Sequence, residues 1–370
     1  MLILLLIYVD DVILTGYNSS VIQSIISTLS TNLALKDLGT LRYFLGIEIK
    51  YFENGVFLSQ IKYRQDLLSK EKVLDCNPVA TPMAIKITTN LEDSELVNVT
   101  EYRGLVGSLQ YLTFTRPDIT YVVNKVWQRF NDPTKVDLKK VKRILLYLKG
   151  SLNYGIHFLS QISLTLYSFS DSDWAGCPET RRSTTGYCVY LRVNCISWSS
   201  KKQTTVARSS AKAEDRSMAT TAAEITWIQF LLHEIGLTMN KKTLLLCDNM
   251  SALYMTKNPV FHARTKHIEL DFHFIREKVV QGPIFTRHVP SSRQITDVFI
   301  KPLIKYQFQN CRNKLGVHPI DIPNLRGADK IPSLMPKDQP INYKSYLQSA
   351  KSSHQTVTRS HNLIILIEGS

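Results

Sequence analysis

Paired cysteines, membrane-length apolar runs and acidic charge are all scarce in this chain of 370 residues. Its six cysteines are Cys76, Cys177, Cys188, Cys195, Cys247 and Cys311. None forms the close pairs that hold structural zinc, and six in so long a chain exclude a disulfide scaffold. A reduced, intracellular setting is expected. The apolar start is about half the length of a membrane span and lacks a basic leader and a small-residue cleavage site. Signal peptide and anchor are excluded on those grounds, and no membrane partner is expected. The chain opens in mid-strand, as the back part of something longer would. Lys plus Arg outnumber Asp plus Glu by 45 to 31, a formal charge of +14. A balance that basic calls for a polyanionic partner, nucleic acid before membrane. There is no internal repeat, and the length suggests roughly two to three domains.

What the chain does have, at its start, is a pair of acids set in oil: Tyr-Val-Asp-Asp (8–11). The runs at 4–8 and 12–14 are short, apolar and partly β-branched, which suits buried strands. Residues 9–11 would then be a turn, with Asp10 and Asp11 displayed at the tip of a hairpin. Carboxylates so placed suit a hard cation; an ordinary acidic turn explains the same residues. Further on, a helix is expected near 20–32, a strand ending at 43–48, and a hairpin pairing 47–51 with 55–59. A helix over 63–71 and a proline-marked connector at 77–82 follow, then two or three helices within 100–150. The last of these, 132–149, has Val141, Ile144, Leu145 and Leu148 on one side and Lys135, Lys139, Lys142 and Arg143 elsewhere. A stripe for a phosphate backbone and a solvated face are both open readings.

Residues 163–303 change character. Strands are expected at 164–171, 185–191 and 195–199, then a helix over 209–235 capped by Ser209 and stopped by Gly236. Met218, Ala222, Ile225, Ile228, Leu232 and Ile235 recur along it at helical spacing. A strand at 243–248, a short helix from 249, a longer one from 265, a strand at 284–288 and a final helix from 294 complete one mixed α/β sheet with helices on its faces. From 329 onward Pro332, Pro336 and Pro340 punctuate a polar stretch with one apolar patch at 363–367. A disordered tail is expected there.

Acids fall where these elements end. Asp171 closes the first strand, Glu214 lies in the first turns of the long helix, Asp248 closes the fourth strand, and Asp297 opens the final helix. Central strands of an α/β sheet end together at the edge that carries sites. Singly, each acid has a dull explanation as a cap or a favourable charge at a helix start. Four together would repel unless cations sat between them. Two divalent ions about 4 Å apart suit such a cluster and drive in-line displacement at phosphorus. His267, Asp271 and His273 do not share one helix face and are rejected as ligands.

The residues also carry a family likeness. Ser-Asp-Ser-Asp-Trp-Ala-Gly (170–176), Arg-Arg-Ser-Thr-Thr-Gly-Tyr-Cys-Val (181–189), Ile-Ser-Trp-Ser-Ser-Lys-Lys-Gln (196–203) and Thr-Val-Ala-Arg-Ser-Ser (205–210) are four of its motifs. Cys-Asp-Asn (247–249), Arg-Thr-Lys-His-Ile-Glu (264–269) and Asp-Val-Phe-Ile-Lys-Pro-Leu (297–303) continue them. Together they resemble the ribonuclease H domain of copia-type LTR retrotransposons. Upstream, Tyr-Val-Asp-Asp (8–11), Asp-Leu-Gly-Thr-Leu-Arg-Tyr-Phe-Leu-Gly-Ile-Glu (37–48) and Leu-Val-Gly-Ser-Leu-Gln-Tyr-Leu (105–112) resemble the same elements' reverse transcriptase. The similarity runs over roughly residues 4–328.

The resemblance implies mixed α/β and α+β architecture. A truncated polymerase palm (1–59) leads to helical thumb and connection (60–160), a ribonuclease H-like five-stranded sheet (161–303), an extension (304–328) and the tail (329–370). It implies Asp10 and Asp11 as polymerase acids. Asp171, Glu214, Asp248 and Asp297 become the ligands of two Mg2+ ions, replaceable by Mn2+, with Asp173 as the fallback for Asp171. The implied reaction is cleavage of the RNA strand of an RNA–DNA hybrid. His288 is either a proton carrier or a satisfied core histidine. Lys201, Lys202 and Arg208 either contact phosphates or are loop charge, and the helix bearing Lys139, Lys142 and Arg143 would meet the template–primer duplex. An intact polymerase from the same element is a further expected partner, in a cytoplasmic particle or the nucleus. The polymerase needs a third carboxylate from an earlier strand, so this chain is not expected to polymerise. Two departures stand out: the family pattern has glutamate where Lys212 stands and tyrosine where Asp215 stands. A charge at Asp215, if buried, would cost about 1–3 kcal/mol. These departures and the tail suggest a degenerate or truncated copy, and a catalytically dead nucleic-acid-binding relic is the rival reading.

Overall fold

The structure, a computed structural model, describes residues 2–9, 11–16, 18–33, 35–85, 94–160, 164–239, 241–257, 269–320 and 362–368. It divides into two compact units, 1–42 with 321–370, and 43–320.

In the first unit, β1 (Ile3–Tyr8) and β2 (Asp11–Gly16) form the expected hairpin, with Tyr8 opposite Asp11. Val9 sits in the turn at φ 50°, a left-handed conformation uncommon for a β-branched residue. Helix α1 (Ser19–Asn32) begins where the Asn18 side chain accepts the amides of Ser20 and Val21. Its Ile22 and Ile26 pack on Leu14 of β2. β3 (Leu35–Thr40) completes the unit together with a strand at Asn362–Glu368, which lies between β2 and β3 and is antiparallel to both. Two expectations are corrected here. β1 leaves Leu5, Leu6 and Ile7 half or more exposed, because it is the edge of its sheet and the helix covers its neighbour. The apolar patch expected in a disordered tail pairs as a strand, as its β-branched run favours. The remainder of that tail, 329–361, lies outside the described residues.

The second unit opens with β4 (Tyr43–Phe44), β5 (Ile47–Phe52) and β6 (Gly55–Ser59). Then come α2 (Ile61–Lys70), α3 (Val99–Leu112), α4 (Thr120–Trp127) and α5 (Lys135–Lys149). β7 (Tyr154–Leu159) pairs with β6 and so joins β4–β6 to the second unit. A buried network fixes the helices. Arg116 forks onto Asp118 at 2.9 and 2.8 Å, both fully buried. The Tyr147 hydroxyl donates to the same carboxylate, and Arg116 and Arg64 both donate to the Ser151 carbonyl.

The sheet that carries the acids has β8 (Leu166–Asp173) at its centre. On one side of it β9 (Thr184–Leu191) runs antiparallel to β8, and β10 (Asn194–Lys202) runs antiparallel to β9. β11 (Thr243–Cys247) and β12 (Ile284–His288) run parallel on the other, giving the order β10-β9-β8-β11-β12. This is the mixed five-stranded sheet expected of a ribonuclease H-like fold. Helix α6 (Ser210–Glu234), capped by the Ser209 hydroxyl, buries Met218, Ala222 and Ile225 against Val189 and Leu245. After α7 (Met250–Lys257) and α8 (Glu269–Val280) comes a one-turn helix, α9 (Asp297–Ile300). The final helix expected from residue 294 begins at Asp297 and lasts one turn, since Pro302 disfavours helical backbone at Lys301. Helix α10 (Lys305–Lys314) leads to β13 (Val317–Pro319), which returns to pair with β7. Among the described residues no helix is long and apolar enough to cross a membrane.

Candidate metal centre and nucleic-acid interface

The four acids reach one edge of this sheet by four routes. β8 and β11 are parallel neighbours with Leu246 opposite Phe169, so Asp171 and Asp248 each stand two residues beyond that rung. Glu214, one turn into α6, arrives from the covering helix. Asp297 arrives on α9, which lies against β9 at Gly186, directly across from Asp171. A Cβ on Gly186 would meet Ile300 at 2.7 Å and the Cβ of Phe299 at 2.8 Å, so the bare glycine is what lets α9 settle there.

Asp171 and Glu214 are each only 5 % exposed. The Ser172 amide donates to both, at 2.8 and 3.2 Å, which brings the two buried carboxyls together. Burial and then the neighbouring Glu214, Asp248 and Asp297 charges push Asp171 far above the usual carboxylate range. Burial also raises Glu214. Asp248 accepts the Ser291 hydroxyl at 2.7 Å, and Asp297 is paired with Lys301 at 2.7 Å. Ligand atoms of Glu214, Cys247 and Asp248 lie within 4.8 Å of one another, close enough to share one ion. This donor set, buried carboxylate oxygens clustered at one edge, fits a divalent cation. The Cys247 thiol, 3.7 Å from Glu214 Oε2, adds a softer donor.

Other sites named from the sequence fall as follows. Asp173 accepts the Thr184 amide, and its carboxyl, raised to about 6 by burial, is not among the charges acting on Asp171 or Glu214. His288 is exposed at the end of β12, beside Cys247 in register, so it is not a core histidine. Asp11 opens β2; Asp10 and His267 lie outside the described residues. Asp271 pairs with Arg216 at 3.7 Å, and His273 is exposed. Lys201 and Arg208 are exposed, while the Lys202 ammonium is 2.9 Å from the Cys177 thiol. On α5, Lys139 and Lys142 are exposed. Lys139 and Arg143, with Lys125 and Lys140, rim a cavity of about 270 Å³ floored by Met83, Val122 and Ile144.

Three contributors escaped the sequence reading. Cys247 and Ser291 gave no signal, being ordinary residues until folding sets them beside acids. Lys301 did give one, since it follows Asp297 by four positions on a helix. Asp215, singled out as a departure, is fully buried, and neither of its oxygens has a hydrogen-bond partner.

The family described as reverse transcriptase (RNA-dependent DNA polymerase) matches residues 1–85. The retrovirus-related Pol polyprotein from transposon RE1 of Arabidopsis thaliana is 45% identical over 317 residues, 85% of this chain and 22% of that polyprotein. The uncharacterized mitochondrial protein AtMg00810 of the same plant is 48% identical over 223 residues, 60% of this chain and 93% of that protein. Among solved structures, LC11-RNase H1 from compost is similar over 37% of this chain and 94% of its own, at 12% identity and a TM-score of 0.30. The chain spans about a fifth of the polyproteins it matches.

Proposed function

Because the chain belongs to the retrovirus-related Pol polyproteins of copia-type transposons, we propose that its α/β sheet is a ribonuclease acting on the RNA strand of RNA–DNA hybrids. The observation that carries this reading is the meeting of Asp171, Glu214, Asp248 and Asp297 from four separate elements at one sheet edge. Those residues would hold two Mg2+ ions, with Mn2+ able to replace them. Such ions, when bound, supply an activated water and neutralise charge on the phosphate under attack. The chain's own side chains do the rest. Burial holds Asp171 and Glu214 toward their protonated forms, and the Ser291 hydroxyl orients Asp248. His288, exposed at the end of β12, would carry a proton between solvent and the site.

Lys139, Lys142 and Arg143 on α5, with Lys201, Lys202 and Arg208 near β10, would take backbone phosphates of the hybrid or of a template–primer duplex. Residues 1–59 and 60–160 would then be palm and thumb/connection, Asp10 and Asp11 the palm acids, and an intact polymerase of the same element a partner. The setting would be intracellular, in a particle or the nucleus.

A second reading is a binding relic that has lost catalysis, and the unpartnered carboxylate of Asp215 beside Glu214 favours it. Incubating the full chain and its Asp248→Asn variant with labelled hybrid and Mg2+ separates the two. Cleavage of the RNA strand by the parent, reduced at least about a hundredfold in the variant with hybrid binding retained, supports the ribonuclease. Binding by both without cleavage supports the relic.

A further inference from the structure

The four acids do not handle their charge alike. Asp171 and Glu214 share the Ser172 amide, and Asp248 takes a neutral hydroxyl donor. Asp297 instead meets a full cation, the Lys301 ammonium, at 2.7 Å. Its placement is dictated locally. Lys301 is the C-cap of the one-turn helix α9, its amide donates to the Asp297 carbonyl, and Pro302 turns the chain out immediately after it. The four-residue spacing stacks its side chain on Asp297. The Lys301 side chain is 50% exposed against 20% for Asp297, so the ammonium can swing into water while the carboxylate stays.

Resting on the ribonuclease reading above, we propose that Lys301 is a built-in counter-ion that holds Asp297 while the acid edge is bare and competes with the second divalent ion for it. A doubly charged ion and an ammonium cannot both sit on one carboxylate without strong repulsion. The first ion, taken by Glu214 and Asp248, meets no such rival. The second must displace Lys301 and is held more weakly for it. Lys301 thereby acts as a positioning residue that sets the order and strength of ion binding.

Titrating the full chain with Mn2+ and following free Mn2+ by electron paramagnetic resonance reads the two sites without any cleavage assay. The parent should bind one ion tightly and a second weakly. Lys301→Met should tighten the second about tenfold and leave the first unchanged. Lys301→Arg, which keeps the charge, should behave like the parent, and circular dichroism checks that both variants are folded. Unchanged or weaker binding of the second ion in Lys301→Met overturns the counter-ion while leaving the metal centre standing. Absence of Mn2+ binding by the parent overturns the ribonuclease reading itself, and the counter-ion with it.

Discussion

Asp171 and Glu214 hold a single backbone donor in common: the Ser172 amide lies 2.8 Å from one carboxyl and 3.2 Å from the other. One N–H cannot neutralise two buried acids, which is why both are shifted upward, burial being the largest cause for each and the Glu214 charge the next for Asp171. An acid whose folded pKa is raised adds stability below about pH 4, where the unfolded chain is protonated too. That contribution is lost as pH climbs through the folded-state value. A divalent ion should reverse the loss by taking the proton's place. Millimolar Mg2+ is therefore expected to raise the melting temperature little at pH 5 and markedly at pH 8, and less in Asp171→Asn. Scanning fluorimetry across that range checks it; a Mg2+ shift that is flat with pH would contradict a proton-for-metal exchange.

Asp215 lies one residue further along α6 and has no such rescue. Burial, then the charge of Asp271, pushes its carboxyl up to about 7. The unfolded chain ionises there near pH 4, so between pH 4 and 7 the folded state loses ground. Above pH 7 the loss levels off at about 4 kcal/mol, from the difference between the two values. Asp215→Leu, similar in bulk and uncharged, is expected to stabilise the chain by about 2–4 kcal/mol at pH 8 and by much less at pH 4. Urea unfolding at the two pH values measures this. Equal effects at both would mean that the carboxylate finds a partner in solution.

The difference between these acids shows what sequence can convey. Convergence of Asp171, Glu214, Asp248 and Asp297 was legible because an α/β sheet brings the ends of its parallel strands to one edge, even though β8 runs two residues past Asp171. The isolation of Asp215 was legible only against a family pattern, since burial of a particular helix face depends on what packs there. β7 and β13 were not foreseen. β13 is three residues long and exists because it pairs with β7, 158 positions or more before it, a relation that no local periodicity encodes. The exposure of β1 escaped for the same reason: its apolar run has strand character, but burial is decided by neighbours. Lys301 is written into the chain as a four-residue spacing from Asp297, a signal that only the fold turns into a contact.

Gly186 offers a test of whether α9 must touch the sheet for the fourth acid to serve. Its φ is not left-handed, so a side chain there is opposed by space and not by backbone strain. Of the two atoms that a new Cβ would strike, Ile300 Cγ2 could rotate away, but Phe299 Cβ is fixed to the backbone of α9. Relief must come from moving the helix and Asp297 with it. Gly186→Ala is expected to cost about 1–3 kcal/mol of stability, in keeping with overpacking of a close contact. It should also weaken the second Mn2+ ion while sparing the first, because Glu214 and Asp248 do not ride on α9. Chemical unfolding and the Mn2+ titration read the two effects independently. If stability falls and both ions bind as before, Asp297 is not held by the contact at Gly186, and the sheet edge positions it in some other way.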